Sequence, residues 1–265
     1  MLSISREFES ICKKKYQPLG FSKEKGNVFA RIKNDVLQVF SLKKYEKLPI
    51  VTVEFGIIPL CVSLPTALTY NFPILSMSSY RLDQFCAEPL ANDGGWRYLH
   101  NSNVSIHDCV FSITQTIDGH LIPLFERCVD CSSSLIELIK LEKMFDDNRL
   151  NALALLGEKD TAKPWENESL FDTKKYFMAL KSGNYIYAHK FLTHQVDFLC
   201  CEVQKSLCSN QPPIVLDRLS QKLSSYREQL RILQSGNRGY FEKLVQTNEE
   251  TMKAMLHARY PKLFV

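Results

Sequence analysis

Residues 18–55 read PLGFSKEKGNVFARIKNDVLQVFSLKKYEKLPIVTVEF, and the period of their apolar positions decides the fold. Val28, Ala30 and Ile32 alternate with Phe29, Arg31 and Lys33, which is the two-residue period of a strand. Asn34-Asp35 follows, two side chains that hydrogen-bond their own backbone and tolerate turn dihedrals. Leu37, Val39 and Ser41 then alternate with Val36, Gln38, Phe40 and Leu42. Two such runs around a short Asn/Asp turn predict a β-hairpin. Val51, Val53 and Phe55 form a third run, with Thr52 and Glu54 facing the other way. Pro49 stands before it, where its missing N–H costs no ladder bond. A sheet with an apolar face needs a covering layer, and the flanking helices are the candidates.

The chain has 265 residues, of which 45% are apolar, enough for a sizeable core in one large or two ordinary domains. Its net charge of +4 is small for this length and argues against bulk attraction to nucleic acid. The first fifty residues are more basic, with eleven Lys or Arg against five Asp or Glu. Nine cysteines, at irregular spacing, follow an N-terminus whose apolar run is broken by Arg6, Glu7 and Glu9. That pattern predicts reduced thiols and a cytoplasmic location, not a secreted disulfide framework. The apolar stretch 49–68 carries Glu54, Gly56 and three prolines, so no membrane span is expected there.

Around the strands the period lengthens. Ile4, Phe8, Ile11 and Cys12 mark a first helix closed by Lys13-Lys14-Lys15. Tyr80 to Phe85 reads as a further strand and Trp96 to Leu99 as an edge strand. Ser105 with Asp108 resembles a capping box before Ile106, Cys109, Val110, Ile113 and Ile117, a helix that Gly119 and Pro123 bend. Ser134 with Glu137 predicts the start of another helix, and Asn151 to Gly157 a short one. Ser169 with Asp172 predicts the cap of the next helix, and Gly183-Asn184 separates it from another, the two forming an antiparallel hairpin. Leu216, Leu219, Leu223, Tyr226, Leu230 and Leu233 then form a heptad-like seam, and a last helix carries Phe241, Val245, Met252 and Met255. The expected fold is α+β. Residues 1–127 form a largely antiparallel sheet with packed helices, and residues 132–265 a helical domain of antiparallel hairpins.

The N-terminal half resembles a bacterial domain of unknown function, family 4304. The resemblance rests on the helix ending near Tyr16, on Pro18-Leu19-Gly20-Phe21, and on Lys23, Gly26, Phe29, Arg31 and Asn34-Asp35-Val36 with the apolar run to Leu42. It implies a bacterial mixed-fold protein and no established reaction.

Candidate sites are few. Cys128-Val129-Asp130-Cys131 has the spacing of half a zinc site or of a redox dithiol, but no second such pair completes a ligand set. No glycine-rich phosphate loop is present. Neither a metal nor a dinucleotide cofactor is therefore expected. His194 and Asp197 share a helix face, with no nucleophile at a readable spacing. Lys23, Lys25, Arg31, Lys33, Lys43, Lys44 and Lys47 interleave with Phe29, Phe40 and Tyr45, a pattern that fits single-stranded nucleic acid if it lies on one exposed face. The leading expectation is a non-enzymatic binding or adaptor protein with a protein partner, since helix hairpins offer grooves for a partner segment. A homo-oligomer is compatible with the same surfaces. An enzyme is the alternative, with a cleft between the halves near Arg81, Trp96, Arg97, Glu166 and His194.

Overall fold

The two-residue turn at Asn34-Asp35 sets the register of the sheet. A computed structural model describes residues 3–24, 26–45, 48–62, 80–85, 95–156, 172–209 and 211–264. Strand β2 (Val28–Lys33) pairs antiparallel with β3 (Val36–Lys44), placing Lys33 opposite Val36 and Phe29 opposite Phe40. Asn34 takes φ 47°, the left-handed conformation that asparagine tolerates. Strand β4 (Ile50–Pro59) adds to β3 with Phe55 opposite Phe40. Short β1 (Ser22–Lys23) borders β2. β5 (Tyr80–Arg81) and β6 (Trp96–Arg97) pair with separate stretches of β4. Gly95 lets β6 approach, since a Cβ there would lie 2.7 Å from the Val51 carbonyl oxygen. The predicted strand at Tyr80–Phe85 is thus only its first two residues. Leu82–Phe85 coils into a 3-10 turn because Arg81 folds back, its N–H donating to Gln84 and its guanidinium to Asp83.

This register lines up Phe29, Phe40, Phe55 and Tyr80 across four strands of one face. Phe29 and Phe40 stack at 5.3 Å, and Phe55 and Tyr80 meet at 5.5 Å. The face is covered by α1 (Ile4–Tyr16), α2 (Asn103–Thr116), α3 (Ile122–Arg127) and α4 (Cys131–Leu156), all of which contribute to one core. A π-helical turn at Ile117–Leu121 joins α2 to α3 around Gly119, where the sequence predicts a bend. The opposite face also carries a run of apolar side chains. Val28, Ala30, Leu37, Val39 and Ile58 there meet Met252 and Leu256 of α8 (Arg238–Arg259). The last helix of the chain thus covers the second face of its first sheet.

Helix starts differ from the expected capping boxes. α2 begins two residues before Ser105, because Ser102 accepts the Ser105 N–H at 3.1 Å. α4 begins before Ser134. Asp130 accepts the Ser133 N–H at 2.8 Å, and the hairpin-turn carboxylate of Asp35 accepts the Cys131 N–H at 3.0 Å. A carboxylate is the stronger acceptor at the positive end of a helix, so it takes the cap. α4 then runs unbroken to Leu156, and the short helix predicted from Asn151 is its last turns. α5 (Thr173–Lys181) is capped by Asp172 itself, while the expected cap Ser169 lies outside the described residues, and α6 (Tyr185–Cys208) is capped by Asn184 after Gly183 at φ 71°. α7 (Pro213–Gln234) and α8 follow. Among the described residues the segment after 131 consists of helices and the turns that join them, with no strand. Its helices join the sheet's own core, a single cluster running from Ile4 to Val245.

A polar pair interrupts the covered face beside the aromatic row. Arg31 lies opposite Gln38 and donates to it from Nε at 2.7 Å. The guanidinium also reaches the Leu19 carbonyl and Glu126, and sits 4.4 Å from the centre of the Phe21 ring. Gln38 Nε2 donates to the carbonyls of Phe125 and Cys128 at the end of α3, where the Phe125 carbonyl also accepts the Cys128 N–H at 3.2 Å. Gln38→Leu would deprive the Cys128 carbonyl and the Arg31 Nε–H of these partners in the interior. We expect a loss of about 2–4 kcal/mol, read from urea unfolding, as for other buried polar groups deprived of partners. A change below about 0.5 kcal/mol would mean that the pair does not hold α3 to the hairpin.

Candidate functional site

Three of the expected cleft residues gather along β4. Arg81 lies opposite Glu54, Trp96 opposite Val51 and Arg97 opposite Ile50. Trp96 is buried and donates its indole N–H to Ser112, so it braces β6 against α2. Arg81 is engaged by Asp83. His194 stands on α6, a helix that packs on α5 and α7. Glu166 falls outside the described residues.

The expected basic surface separates into unlike parts. Arg31 is not on the surface: only 4% exposed, it is consumed by the contacts described above. Lys23 pairs with Glu9 and Lys43 with Glu54. Lys44 is exposed and Lys33 half-buried, while Lys25 and Lys47 lie outside the described residues. The interleaved Phe29 and Phe40 are fully buried, so they have no face to offer a base.

Cys128 ends α3 and Cys131 begins α4, both buried. Burial pushes the Cys128 thiol up to about 12. The neighbouring Cys61 thiol, together with burial, pushes the Cys131 thiol well up. Both therefore stay protonated near neutrality, whereas the thiolate is the form that attacks or ligates. Among the described residues no group of three or more His, Cys, Asp or Glu side chains is placed to hold a metal ion.

A cluster that the residue spacing did not point to lies where β5 meets α4 and α5. Glu142 of α4 is bonded by the Lys175 ammonium and accepts the Tyr80 phenol at 2.6 Å. Lys174 sits 3.8 Å from Asp172 and 5.9 Å from the centre of the Tyr80 ring. Lys174 and Lys175 are essentially unexposed. Burial depresses the Lys174 ammonium below its ordinary range, and Asp172 only partly offsets this. Burial and the Glu142 charge push the Tyr80 phenol up. One sequence signal for this cluster existed. Tyr176 to Leu180 is apolar without a break, the mark of a helix buried all round, so the lysines opening it must be buried too.

The second feature is an arm. α6 and α7, of 24 and 22 residues, pack on each other more closely than on anything else. The hydrophobic core takes its last α6 residue at Leu192 and its first α7 residue at Tyr226. Beyond those points Gln195, Leu199, Ser206 and Leu223 are the buried residues among those described. At about 1.5 Å per residue, α6 continues roughly 24 Å past the core. Apolar side chains point outward on this stretch: Phe198 is 41% exposed, Leu207 61% and Ile214 58%.

Two outcomes test the buried cluster. Lys175→Met leaves Glu142 without its ammonium and should cost about 3–5 kcal/mol in urea unfolding. Lys175→Met combined with Glu142→Leu should recover much of that loss, and strict additivity of the two changes would show that they do not interact. The second test is pH. A base whose folded pKa is depressed destabilises the fold while it must stay charged, and the penalty is relieved as pH rises toward its unfolded value of 10.5. The stability of the wild type relative to Lys174→Met should therefore rise between about pH 7 and pH 10. A pH-independent difference would refute the depressed ammonium.

No family model, curated protein or solved structure matches the chain.

Proposed function

We propose that this is a non-enzymatic binding protein of the cytoplasm that holds a protein partner on its α6–α7 arm. The observation that carries the reading is that, among the described residues, the outer part of both helices buries only Leu199 and Leu223 as large apolar side chains and neither joins the main core cluster. Folding accounts for the body but gives no reason for two long helices to continue past it. Large apolar side chains held outward on a helix pair are what a partner's apolar segment requires. The buried thiols agree with a reducing compartment. The likeness of the N-terminal half to a bacterial family adds no reaction to this reading.

A second reading, an enzyme, is favoured by the depressed Lys174 ammonium beside Tyr80 and Glu142, since shifted groups of this kind concentrate at active sites. Buried ionic clusters also arise from structure alone. Two cavities formed by described residues, at 185–238 and at 13–262, are lined by other side chains.

The test uses the full chain in its native cell, with a photo-crosslinking residue at position 198 or 207 and a control at exposed Glu250. One defined protein should crosslink from the arm and not from the control. Phe198→Lys and Leu207→Lys should weaken its capture by roughly tenfold or more, at an unchanged unfolding midpoint. A second copy of the chain as the crosslinked species would count for the reading, with self-association as its form. Equal crosslinking from arm and control, or a partner retained by both charged variants, would sink it.

A further inference from the structure

At the root of the arm a cavity of about 440 Å³ opens where α6 begins, α7 ends and α8 begins. Its apolar side is made by Tyr185, Ile186 and Leu233, and its polar side by His189, Lys190 and Arg238. No carboxylate lines it. Among the described residues neither Lys190 nor Arg238 takes part in an ion pair, unlike Lys181 of α5 and Lys253 of α8, which share Glu249. The Arg238 guanidinium lies 5.1 Å from the centre of the Tyr185 ring, which holds the charge over an aromatic face at the mouth. His189 meets Gln234 at 3.5 Å on the same side. Two uncompensated cations beside an apolar wall make a site of one sign, and its volume is that of small-molecule pockets.

We infer that this cavity binds a small organic anion, an aromatic or aliphatic body carrying one phosphate or carboxylate. The body lies against Tyr185, Ile186 and Leu233. The anionic group takes charge-assisted hydrogen bonds from Arg238 and Lys190. A bare inorganic anion would leave the apolar wall unused, and a neutral aromatic would leave both cations without a counter-charge. The site is separate from the outer stretch of the arm, so it stands or falls independently of the partner reading.

The experiment is an amide-resolved titration of the full chain with phenyl phosphate, alongside inorganic phosphate and benzyl alcohol. Phenyl phosphate should saturate, with a Kd of roughly millimolar or tighter. Its shifts should be confined to residues 185–190 and 233–238. Inorganic phosphate should bind about fivefold more weakly or worse, and benzyl alcohol should not saturate. Arg238→Gln and Lys190→Gln should each weaken phenyl phosphate by roughly threefold to tenfold, and Arg238→Lys should keep part of the affinity. Arg238→Gln leaves the α8 cap intact, because Asn237 supplies it by accepting the Tyr240 N–H. Absence of saturable shifts at these residues, binding of benzyl alcohol as tight as phenyl phosphate, or wild-type affinity in both glutamine variants would each overturn the inference.

Discussion

The buried carboxylate of Glu142 constrains the interior more than any apolar contact does. An isolated carboxylate in the interior costs several kcal/mol, so the chain must bring partners to it. It brings the Tyr80 phenol from the sheet edge and the Lys175 ammonium from the first turn of α5. Each requirement propagates. Tyr80 reaches Glu142 only because β5 is in register with Phe55, and Phe55 is in turn set by Phe40 and Phe29. Lys175 reaches it only because Asp172 starts α5 at the right residue. One charge thereby ties the short fifth strand, the long fourth helix and the fifth helix together. Arg31 and Gln38 do the same on the neighbouring row for the hairpin and α3.

The hairpin, the third strand and the helix that follows Gly183-Asn184 were legible because their signals are local. Alternation, a turn dipeptide and a helix cap each act within a few residues. The missed features depend on partners distant in sequence. Asp35 caps α4 from 96 positions away, and no spacing rule finds that contact. Arg31 looked like a surface cation because it alternates with apolar residues, yet that alternation places it on the covered face beside Phe29 and Phe40. Both faces of β2 to β4 carry Val, Ile, Leu or Phe, which signals a sheet covered on two sides. The helix supplying the second cover comes two hundred residues later, so the pattern alone could not name it.

The same distance rule explains why the candidate site was poorly legible. Arg81, Trp96 and Arg97 lie along β4 because short strands paired to it carry them there. Trp96 is engaged in bracing on Ser112 and Arg81 on Asp83. Tyr80, Glu142, Lys174 and Lys175 instead lie at ordinary helix and strand positions and converge only through packing. A lysine on an amphipathic helix is read as solvated by default, and that default fails where the helix is apolar on every side.

The arm and the body obey different physics. At its root the arm is locked by aromatic contacts: Tyr176 stacks on Phe191 at 4.8 Å, and Phe191 meets Tyr226 edge-on at 6.2 Å. The Tyr176 phenol donates to Gln229 at 2.8 Å across the same joint. Farther out, Leu199 and Leu223 are the large apolar side chains that are buried, and solvent reaches the rest. Local stability follows buried apolar contact, so it declines from root to tip. Among the described residues the outer helix pair buries few apolar side chains and so gains little from tertiary packing, which is where most helical stability originates. The body therefore fixes the direction of the arm, while the tip keeps the apolar surface that a rigid core would have absorbed. Covering Phe198, Leu207 and Ile214 would stabilise the tip by the same burial that holds the root, so binding a partner there and ordering the arm are one energetic event.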